Sequence, residues 1–496
     1  MQRPSAPSNG TSQAAHPRDQ PSIRKEITAD LCIVGAGSGG LSLAAATAQL
    51  GLKVVLIERH KMGGDCLNYG CVPSKALIAA GRRAHIARSS GAFGIAPVEP
   101  HIDYGRVHDH IHEVIAAIAP NDSVERFTGL GVTVVQAEGS FVDKSTMRAG
   151  DTLVRARRYC IATGSSPLVP PIPGLDAAPH FTNETIFENR QPLGHLIVIG
   201  GGPIGIELAQ AHARLGNKVT VLEGLKALAK DDPELAEIVL KKLTDEGVSI
   251  REGAKVERVE HRMGVVRVHI AGTNGPEVVE GNHILVATGR KPNTEGLNLE
   301  AAGIAYDRRG IKVGPTLLTS NSRVYAIGDV AGSLQFTHVA NYHAGIVLRR
   351  ICFWLPAKAT TGHIPWVTYT EPELANVGLT EDEARKQLGS VNIYRWPYHE
   401  NDRAQAERVT EGFLKVVTDR RDRVVGAAIV GEHAGELIQM WSLAIQKRMK
   451  ISDLTQWISP YPTLGEINKR AALRYYAGKA GSPLVRTVVS FLSKLG

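Results

Sequence analysis

Two cysteines separated by four residues, Cys66 and Cys71, stand in the run GGDCLNYGCVPSK over residues 63–75. A zinc site would need four ligands, usually two such pairs or nearby histidines. A structural disulfide that closes so short a loop would stabilise the fold little. A redox-active pair fits better, because close spacing lets the disulfide form and break without large motion. The residues that follow predict a helix start, which lowers a thiol pKa. We therefore expect redox chemistry here and no metal site.

The other cysteines and the charge balance restrict the class of protein and its compartment. Cys32, Cys160 and Cys352 lie in apolar stretches and are predicted to be packing residues. Five cysteines in 496 residues do not form a secreted disulfide framework, so we expect a reducing compartment, the cytoplasm. The net charge of +8 comes from 57 basic residues scattered among 49 acidic ones. This balance favours an enzyme with anionic cofactors over a nucleic-acid binder.

A glycine-rich unit that occurs twice in the chain is predicted to hold these thiols in place. The stretch LCIVGAGSGGLSLAAATAQLGLKVVLIE (31–58) matches LIVIGGGPIGIELAQAHARLGNKVTVLE (196–223) at a constant offset of 165 residues. Each copy predicts a buried strand, a glycine turn, a helix and a second strand that ends in an acid. The matched residues are Gly35, Gly37, Gly40 and Glu58 in the first copy, and Gly200, Gly202, Gly205 and Glu223 in the second.

This order of residues suits a dinucleotide. The first glycine allows a tight turn, the second lets the backbone approach a pyrophosphate, and the third lets helix and strand pack closely. The helix N-terminus offers unpaired N–H groups to the phosphates, and the acid can accept hydrogen bonds from a ribose diol. Two complete copies therefore predict two dinucleotide sites in an α/β protein.

Each unit also ends in an Ala-Thr-Gly strand end, CIATGSSP (160–167) and LVATGRKPN (285–293). From the acid to this motif there are 104 residues in the first unit and 64 in the second. The first unit thus carries about 40 extra residues, which begin with the cysteine run. The two sites are not equivalent, because only one has a dithiol built into it.

Together with VYAIGDVAG (324–332) and YPTLGE (461–466), these motifs resemble the flavoprotein disulfide reductases, the class I pyridine nucleotide-disulfide oxidoreductases. That family includes dihydrolipoamide dehydrogenase, glutathione reductase and mercuric reductase. The resemblance covers residues 29–480 and implies two Rossmann-like domains, for FAD and for NAD(P)H. It also implies a C-terminal α+β dimerisation domain that completes the active site across a homodimer. The implied divisions are an FAD domain (29–168), an NAD(P) domain (169–294), a central part completing the FAD domain (295–363) and an interface domain (364–480). Composition adds a flexible polar tail (1–28) and a basic apolar tail (481–496).

The resemblance also implies roles for individual residues. Cys71 matches the charge-transfer thiol beside the flavin, and Cys66 matches the interchange thiol that faces the substrate. Lys75 resembles the lysine near flavin N5, paired with a glutamate that matches Glu207. Asp329 matches the aspartate on the ribityl chain. The remaining implied contacts are Thr163, Gly164, Phe336, Thr337 and His338 for FAD, and Gly289 for NAD(P).

The second unit favours NADH, because the Glu223 carboxylate would repel the 2′-phosphate of NADPH. Lys226 and Lys230 follow closely and leave NADPH open as an alternative. Pro203 stands where glutathione reductases carry a tyrosine gate over the nicotinamide pocket. This departure argues against a glutathione reductase.

A second departure concerns the C-terminal motif. Thiol-active members carry a His-Pro-…-Glu dyad there, whereas this chain has Tyr461 and Glu466 in the run ISPYPTLGEINK. A phenol, with a reference pKa near ~10, is a poorer base at neutral pH than an imidazole near ~6.5. Tyrosine at this position resembles the mercuric reductases, although their C-terminal cysteine pair has no counterpart after Cys352.

We therefore expect electrons to pass from NADH through FAD and the Cys66–Cys71 pair to a metal ion or another electrophile. The alternatives are a dihydrolipoamide dehydrogenase, and an FAD-bearing redox sensor or assembly subunit. No apolar run is long enough to span a membrane. The basic apolar tail, with the run PLVRTVVSFLSKLG, leaves open a weak membrane contact.

Overall fold

The computed structural model describes residues 23–272, 275–332, 334–480 and 482–495. Within them the strands are β1 (Lys25–Val34), β2 (Val54–Glu58), β3 (Thr133–Gln136), β4 (Gly139–Phe141), β5 (Thr146–Ala149), β6 (Thr152–Ile161), β7 (Ser165–Pro167), β8 (His180–Phe181), β9 (His195–Ile199), β10 (Lys218–Leu222), β11 (Ser249–Arg251), β12 (Lys255–Arg262), β13 (Val265–Gly272), β14 (Gly275–Gly281), β15 (His283–Val286), β16 (Arg290–Pro292), β17 (Tyr306–Asp307), β18 (Gly310–Ile311), β19 (Val324–Ala326), β20 (Pro365–Thr368), β21 (Glu373–Gly378), β22 (Asn392–Pro397), β23 (Phe413–Thr418) and β24 (Val424–Gly431). The α-helices are α1 (Ser38–Gln49), α2 (Gly64–Asn68), α3 (Cys71–Ser89), α4 (Tyr104–Ile118), α5 (Val124–Gly129), α6 (Pro203–Arg214), α7 (Pro233–Asp245), α8 (Thr337–Phe353), α9 (Glu381–Leu388), α10 (Asp402–Glu407), α11 (Ala434–Leu437), α12 (Gln439–Gln446), α13 (Glu466–Ala480) and α14 (Pro483–Leu492).

The first unit is built on a sheet with the strand order β3-β2-β1-β6-β5-β4, to which β19 adds beside β6. Strands β3, β2, β1, β6 and β19 run parallel, whereas β4 and β5 form an antiparallel extension. Leu31, Cys32 and Ile33 are fully buried in the central strand, as expected for a parallel strand covered on both faces. Parallel strands place their carboxyl ends at one edge, and the glycine turn follows β1 there.

The first strand begins earlier than the predicted tail allows. Residues 1–22 lie outside the described residues, but Lys25–Thr28 belong to β1 and pair with residues 152–155 of β6. The prediction of a flexible tail over 1–28 is therefore wrong for residues 25–28. The backbone hydrogen bonds of β1 continue beyond the buried part of the sheet. Lys25, Glu26 and Thr28 are exposed there, so their polar side chains stay hydrated.

The second unit repeats this plan in a sheet with the order β11-β10-β9-β15-β8, all parallel. A three-stranded antiparallel sheet, β12-β13-β14, packs on it through a shared apolar cluster that includes Ile197, Val268 and Ile284. The chain then returns to the first unit, where β19 pairs with β6 and α8 packs against α1.

The third unit is a five-stranded antiparallel sheet with the order β20-β21-β24-β23-β22. Helices α12 and α13 contribute to its core, in which Trp441 and Tyr398 are fully buried. A buried ion pair joins this unit to the second, since Lys415 Nζ lies 2.8 Å from Asp232 Oδ2. Removing either partner would leave an uncompensated buried charge, so this pair makes the contact between the two units sensitive to substitution at both residues.

The last described helix, α14, carries a one-sided row of exposed apolar side chains that includes Leu484, Val488, Phe491 and Leu495, the last just beyond its end. Among the described residues, no helix combines the length and the apolar character needed to cross a membrane.

Candidate active site

The two glycine-rich turns have the same steric requirement for glycine. Gly35 and Gly200 have φ values of +104° and +113°, in the region that favours glycine. A Cβ at Gly40 would lie 1.9 Å from the Gly35 carbonyl oxygen, and one at Gly205 would lie 2.1 Å from that of Gly200. The third glycine of each motif therefore lets the helix approach the turn.

The middle glycines leave space instead. A Cβ at Gly202 would meet no atom within 4 Å, and one at Gly37 would meet only the Gly64 Cα at 4.0 Å. Both glycines line the same cleft, at the N-termini of α1 and α6. A phosphate can approach the backbone at both turns, where helix N–H groups have no intrahelical acceptor. The residues present thus fit two pyrophosphate groups.

The two acids are held alike by backbone N–H groups. Glu58 accepts hydrogen bonds from Ala36 N at 2.6 Å and from His60 N at 2.8 Å. Glu223 accepts from Gly201 N and from Leu225 N, both at 2.8 Å. Each carboxylate is thereby fixed at a strand end that faces the cleft, with lone pairs left for a ribose diol.

A single continuous cleft of about 3070 Å³ connects both turns and the cysteine pair. It contains most of the residues that sequence reasoning singled out. Gly40 and Gly205 do not line it, because they pack helix against strand, and Tyr461 and Glu466 lie outside it. The predicted residues that line the cleft are Gly35, Gly37, Glu58, Cys66, Cys71, Lys75, Thr163, Gly164, Gly200, Gly202, Glu207, Glu223, Gly289, Asp329, Phe336, Thr337 and His338.

Two helix N-termini converge on the cysteine pair. Cys71 is the first residue of α3, Thr337 is the first residue of α8, and Cys71 Sγ lies 3.3 Å from Thr337 Oγ1. The hydrogen bond from the Cys66 thiol lowers the pKa of Cys71 to about 6, with further contributions from Thr337 and the Lys75 charge. The same hydrogen bond, followed by burial, raises the pKa of Cys66. Near neutral pH this geometry pairs a Cys71 thiolate with a protonated Cys66.

Lys75 supplies the positive charge beside these thiols. Its Nζ donates to Glu207 Oε2 at 2.8 Å and lies 4.2 Å from the centre of the Tyr369 ring. Burial acts to lower the pKa of Lys75, but the charge and hydrogen bond of Glu207, together with the charges of Cys71 and Tyr369, more than offset it, so the pKa is raised and the ammonium form persists. Glu207 is itself buried and accepts a second hydrogen bond, from Tyr369 N at 2.9 Å.

Asp329 lies in a polar cluster of which sequence reasoning identified only one member. Ser165 Oγ donates to Asp329 Oδ2 at 2.6 Å, and Arg290 Nε donates to Ser165 Oγ at 2.7 Å. Arg290 also pairs with Asp65 Oδ1 at 3.0 Å. Burial raises the pKa of Asp329, and the Ser165 hydrogen bond and the Arg290 charge oppose that shift. Arg290 directly follows the second Ala-Thr-Gly motif, which was a usable signal for it.

The aromatic edge of the cleft is ordered by a backbone contact. The His338 and Phe336 rings stack with their centres 5.3 Å apart, and His338 Nε2 lies 2.8 Å from the Pro365 carbonyl oxygen. That carbonyl can only accept, so Nε2 carries the proton in this contact. Burial lowers the pKa of His338, which favours the neutral ring.

Tyr461 and Glu466 belong to the third unit and are not brought to the cleft of their own chain. Tyr461 is two-thirds exposed, and its hydroxyl donates to Asp402 Oδ2 at 2.9 Å. This hydrogen bond raises the pKa of Tyr461. Glu466 is the first residue of α13.

The two dinucleotide turns and the dithiol line one cleft, which is the arrangement of a dinucleotide-dependent dithiol oxidoreductase. The chain belongs to the pyridine nucleotide-disulphide oxidoreductase family, whose sequence profile matches residues 29–344. The profile of that family's dimerisation domain matches residues 364–472. Members of the family use FAD and NAD(P)H. The predicted fold class, family and cofactors are thereby confirmed.

Relatives with two different activities resemble the chain to the same extent. Mercuric reductase of Lysinibacillus sphaericus is 36% identical over 449 residues, covering 90% of this chain and 82% of its own. Dihydrolipoyl dehydrogenase of Geobacillus stearothermophilus is 36% identical over 455 residues, covering 90% and 96%. Overall identity therefore does not discriminate between these activities.

Solved structures share the fold. LpdA of Mycobacterium tuberculosis has a TM-score of 0.83 at 26% identity, covering 90% of this chain and 99% of its own. The HOCl-induced flavoprotein disulfide reductase RclA of Escherichia coli, solved as its Cu(II) complex, has a TM-score of 0.80 at 28% identity, covering 89% and 99%.

Proposed function

We propose that the protein carries electrons from NADH, through bound FAD and the Cys66–Cys71 pair, to a thiophilic metal ion or a related electrophile. The observation that supports this choice of acceptor is the environment of Tyr461. Its hydroxyl already donates to Asp402, which raises its pKa, so the phenol is no base near neutral pH. Release of a dithiol product needs a proton at the leaving sulfur, whereas reduction of a metal ion does not.

The cleft residues have distinct parts in this proposal. FAD, when bound, links the two-electron chemistry of the nicotinamide to that of the dithiol. Cys71, held as a thiolate by the Cys66 thiol and Thr337, is the sulfur next to the cofactor. Lys75 stays charged through Glu207 and stabilises that thiolate. Cys66, the protonated thiol, is the one that meets the acceptor.

The chain is proposed to act as a homodimer, because the dimerisation-domain profile matches its third unit. It is proposed to act in the cytoplasm, because its five cysteines do not form a secreted disulfide framework. Tyr461 of the partner subunit and Glu466 of the partner subunit would then complete each cleft, which explains why neither residue reaches the cleft of its own chain.

The exposed apolar side of α14 is proposed as a weak membrane contact.

A comparison of acceptors tests the proposed function. With excess NADH supplied under anaerobic conditions, we expect the FAD-loaded enzyme to be reoxidised rapidly and repeatedly by Hg²⁺ or Cu²⁺, and slowly by lipoamide or glutathione disulfide. The Cu(II) complex of the related RclA structure makes Cu²⁺ a necessary member of the set. Stopped-flow absorbance of the flavin measures each rate. A single reoxidation without turnover would instead indicate a redox sensor.

Dihydrolipoamide dehydrogenase is the second candidate, favoured by the coverage of 96% of that relative and by the retention of Glu466. Rapid lipoamide turnover by the wild-type enzyme would establish it and overturn the proposed acceptor. Another base would then have to serve Cys66.

Cofactor preference is expected to depend on Glu223. Glu223→Arg should shift the ratio of kcat/KM for NADPH over NADH by about tenfold or more, since each ~1.4 kcal/mol is a factor of ten. The reason is that attraction of the 2′-phosphate replaces repulsion. Steady-state kinetics with both nucleotides measure the ratio. Glu237→Arg reverses a charge in the same cleft away from the strand end and should leave the ratio nearly unchanged. An equal shift in both variants would show that Glu223 does not meet the ribose.

A further inference from the structure

Two histidines and a glutamate come together outside the cleft. His108 and His112 lie one turn apart on α4, so they share a face of the helix. Glu188 closes a short 3₁₀ turn over Ile186–Glu188 at the second unit. The ligand atoms of the three side chains lie within 4.8 Å of one another. None of the three residues lines the cleft described above.

The distances between these atoms suit one small cation. His112 Nε2 lies 3.4 Å from Glu188 Oε2, and His108 Nε2 lies 3.8 Å from the same oxygen. A tetrahedral ion with ligands at ~2.1 Å has ligand–ligand edges of about 3.4 Å, so little adjustment is needed. Two imidazoles and one carboxylate favour Zn²⁺ and similar transition ions over Mg²⁺ or Ca²⁺.

A second observation points to a ligand. His112 Nε2 is shielded from solvent and makes no hydrogen bond within the described part of the chain. The backbones on both sides are anchored in one apolar cluster, which contains Ile111 of α4 as well as Ile186 and Phe187 of the 3₁₀ turn. The site is therefore held in place by buried neighbours. His112 Nε2 faces the Glu188 carboxylate but makes no hydrogen bond to it.

The surroundings of His108 determine which tautomer binds. His108 Nδ1 lies 3.2 Å from Asp109 Oδ1, an arrangement in which a carboxylate orients a metal-binding imidazole. Arg190 Nη1 also contacts His108 Nδ1, and as a pure donor it favours the tautomer that has its proton on Nε2. Cation binding requires the proton on Nδ1, directed at Asp109, while Arg190 keeps its 2.9 Å pair with Asp109.

We propose that His108, His112 and Glu188 bind a divalent transition-metal cation of the Zn²⁺ type, oriented by Asp109, at a site that joins α4 to the second unit. This site is separate from the thiol pair and from the metal ion proposed as electron acceptor. It also departs from our expectation that the chain has no metal site.

Cobalt is the probe that separates this site from the thiols. In the air-oxidised, FAD-loaded enzyme we expect Cys66 and Cys71 to be joined in the disulfide of the proposed function, so that neither sulfur acts as a ligand. We expect added Co²⁺ to give tetrahedral absorption bands at wavelengths longer than those of the flavin, with one ion per chain, and Zn²⁺ to displace it. Equilibrium dialysis of Zn²⁺ gives the affinity.

Matched variants make the test specific. His112→Ala should remove the bands, and Asp109→Asn should weaken Zn²⁺ binding by about 10–100-fold. Arg190→Gln should strengthen it, because the competing donor is lost. His110→Ala removes a neighbouring histidine of the same helix that is not in the cluster and should leave binding unchanged. The proposal is overturned if oxidised wild-type enzyme shows no bands, or if His112→Ala and His110→Ala bind Co²⁺ alike.

Discussion

The FAD-loaded Cys71→Ser enzyme is expected to lose turnover with every acceptor by about 10⁴-fold or more, the scale on which removal of a reacting nucleophile acts. A serine hydroxyl is not ionised near neutral pH and cannot form a disulfide with Cys66. Two-electron reduction of the wild type should produce a long-wavelength absorbance band from the Cys71 thiolate beside FAD, and this band should be absent in Cys71→Ser. Anaerobic titration with NADH measures both effects.

The pH dependence of that band tests the hydrogen bond between the thiols. With its pKa lowered to about 6, Cys71 should show the band above that pH and lose it as the pH falls through about 6. Cys66→Ser retains a donor and should display the band without reductant. Cys66→Ala removes the donor, so its titration should move to higher pH.

Cys352 provides the control for these variants. It is a partly buried cysteine packed in the first unit and does not line the cleft. Cys352→Ser should therefore keep both turnover and the band. If Cys71→Ser and Cys66→Ser leave the spectrum unchanged, the redox assignment is wrong.

Tyr461→His is expected to raise lipoamide turnover by about 10²–10⁴-fold, the usual contribution of a positioned general acid–base group. Imidazole can exchange a proton with the Cys66 sulfur near neutral pH, and Glu466 is retained in the sequence to orient it. The gained activity should follow pH with an apparent pKa near ~6.5. Steady-state assays with lipoamide across pH measure it.

Two controls accompany this variant. Reduction by NADH should be unchanged in Tyr461→His, because the nicotinamide site belongs to the second unit and Tyr461 belongs to the third. Tyr461→Phe removes the hydroxyl without adding a base and should not gain lipoamide activity. A wild-type enzyme already as fast as Tyr461→His would contradict the proposed acceptor.

Local patterns made much of this molecule predictable from its sequence. The turns at Gly35 and Gly200 are set by a few consecutive residues, and the repeat made each copy support the other. The family and the fold class followed from these turns and from the cysteine run, and the comparisons confirm both. The start of β1 was misplaced because Lys25, Glu26 and Thr28 are polar and Ile27 is a single apolar residue among them, whereas what places all four in the sheet is backbone pairing with β6.

Contacts between residues that lie far apart in the sequence could not be predicted from local patterns. Tyr369 comes from the third unit to lie against Lys75, and no motif marks it. The cluster of His108, His112 and Glu188 escaped notice because its third ligand is far along the chain from the two histidines. The spacing of the two histidines on one helix face was the only part of it visible in the sequence.

The position of Glu207 determines how heat or denaturant inactivates the enzyme. Glu207 lies on α6 of the second unit, pairs with Lys75 of the first and accepts the Tyr369 N–H of the third. The buried Glu207 carboxylate thus contacts both other units. It also keeps Lys75 charged beside the two thiols. Heat or denaturant that separates the units removes the charge balance at the thiols, and breaking these contacts does not itself require any of the three sheets to unfold. Inactivation should therefore precede loss of secondary structure, and the working state depends on docking between the units rather than on the stability of any one of them.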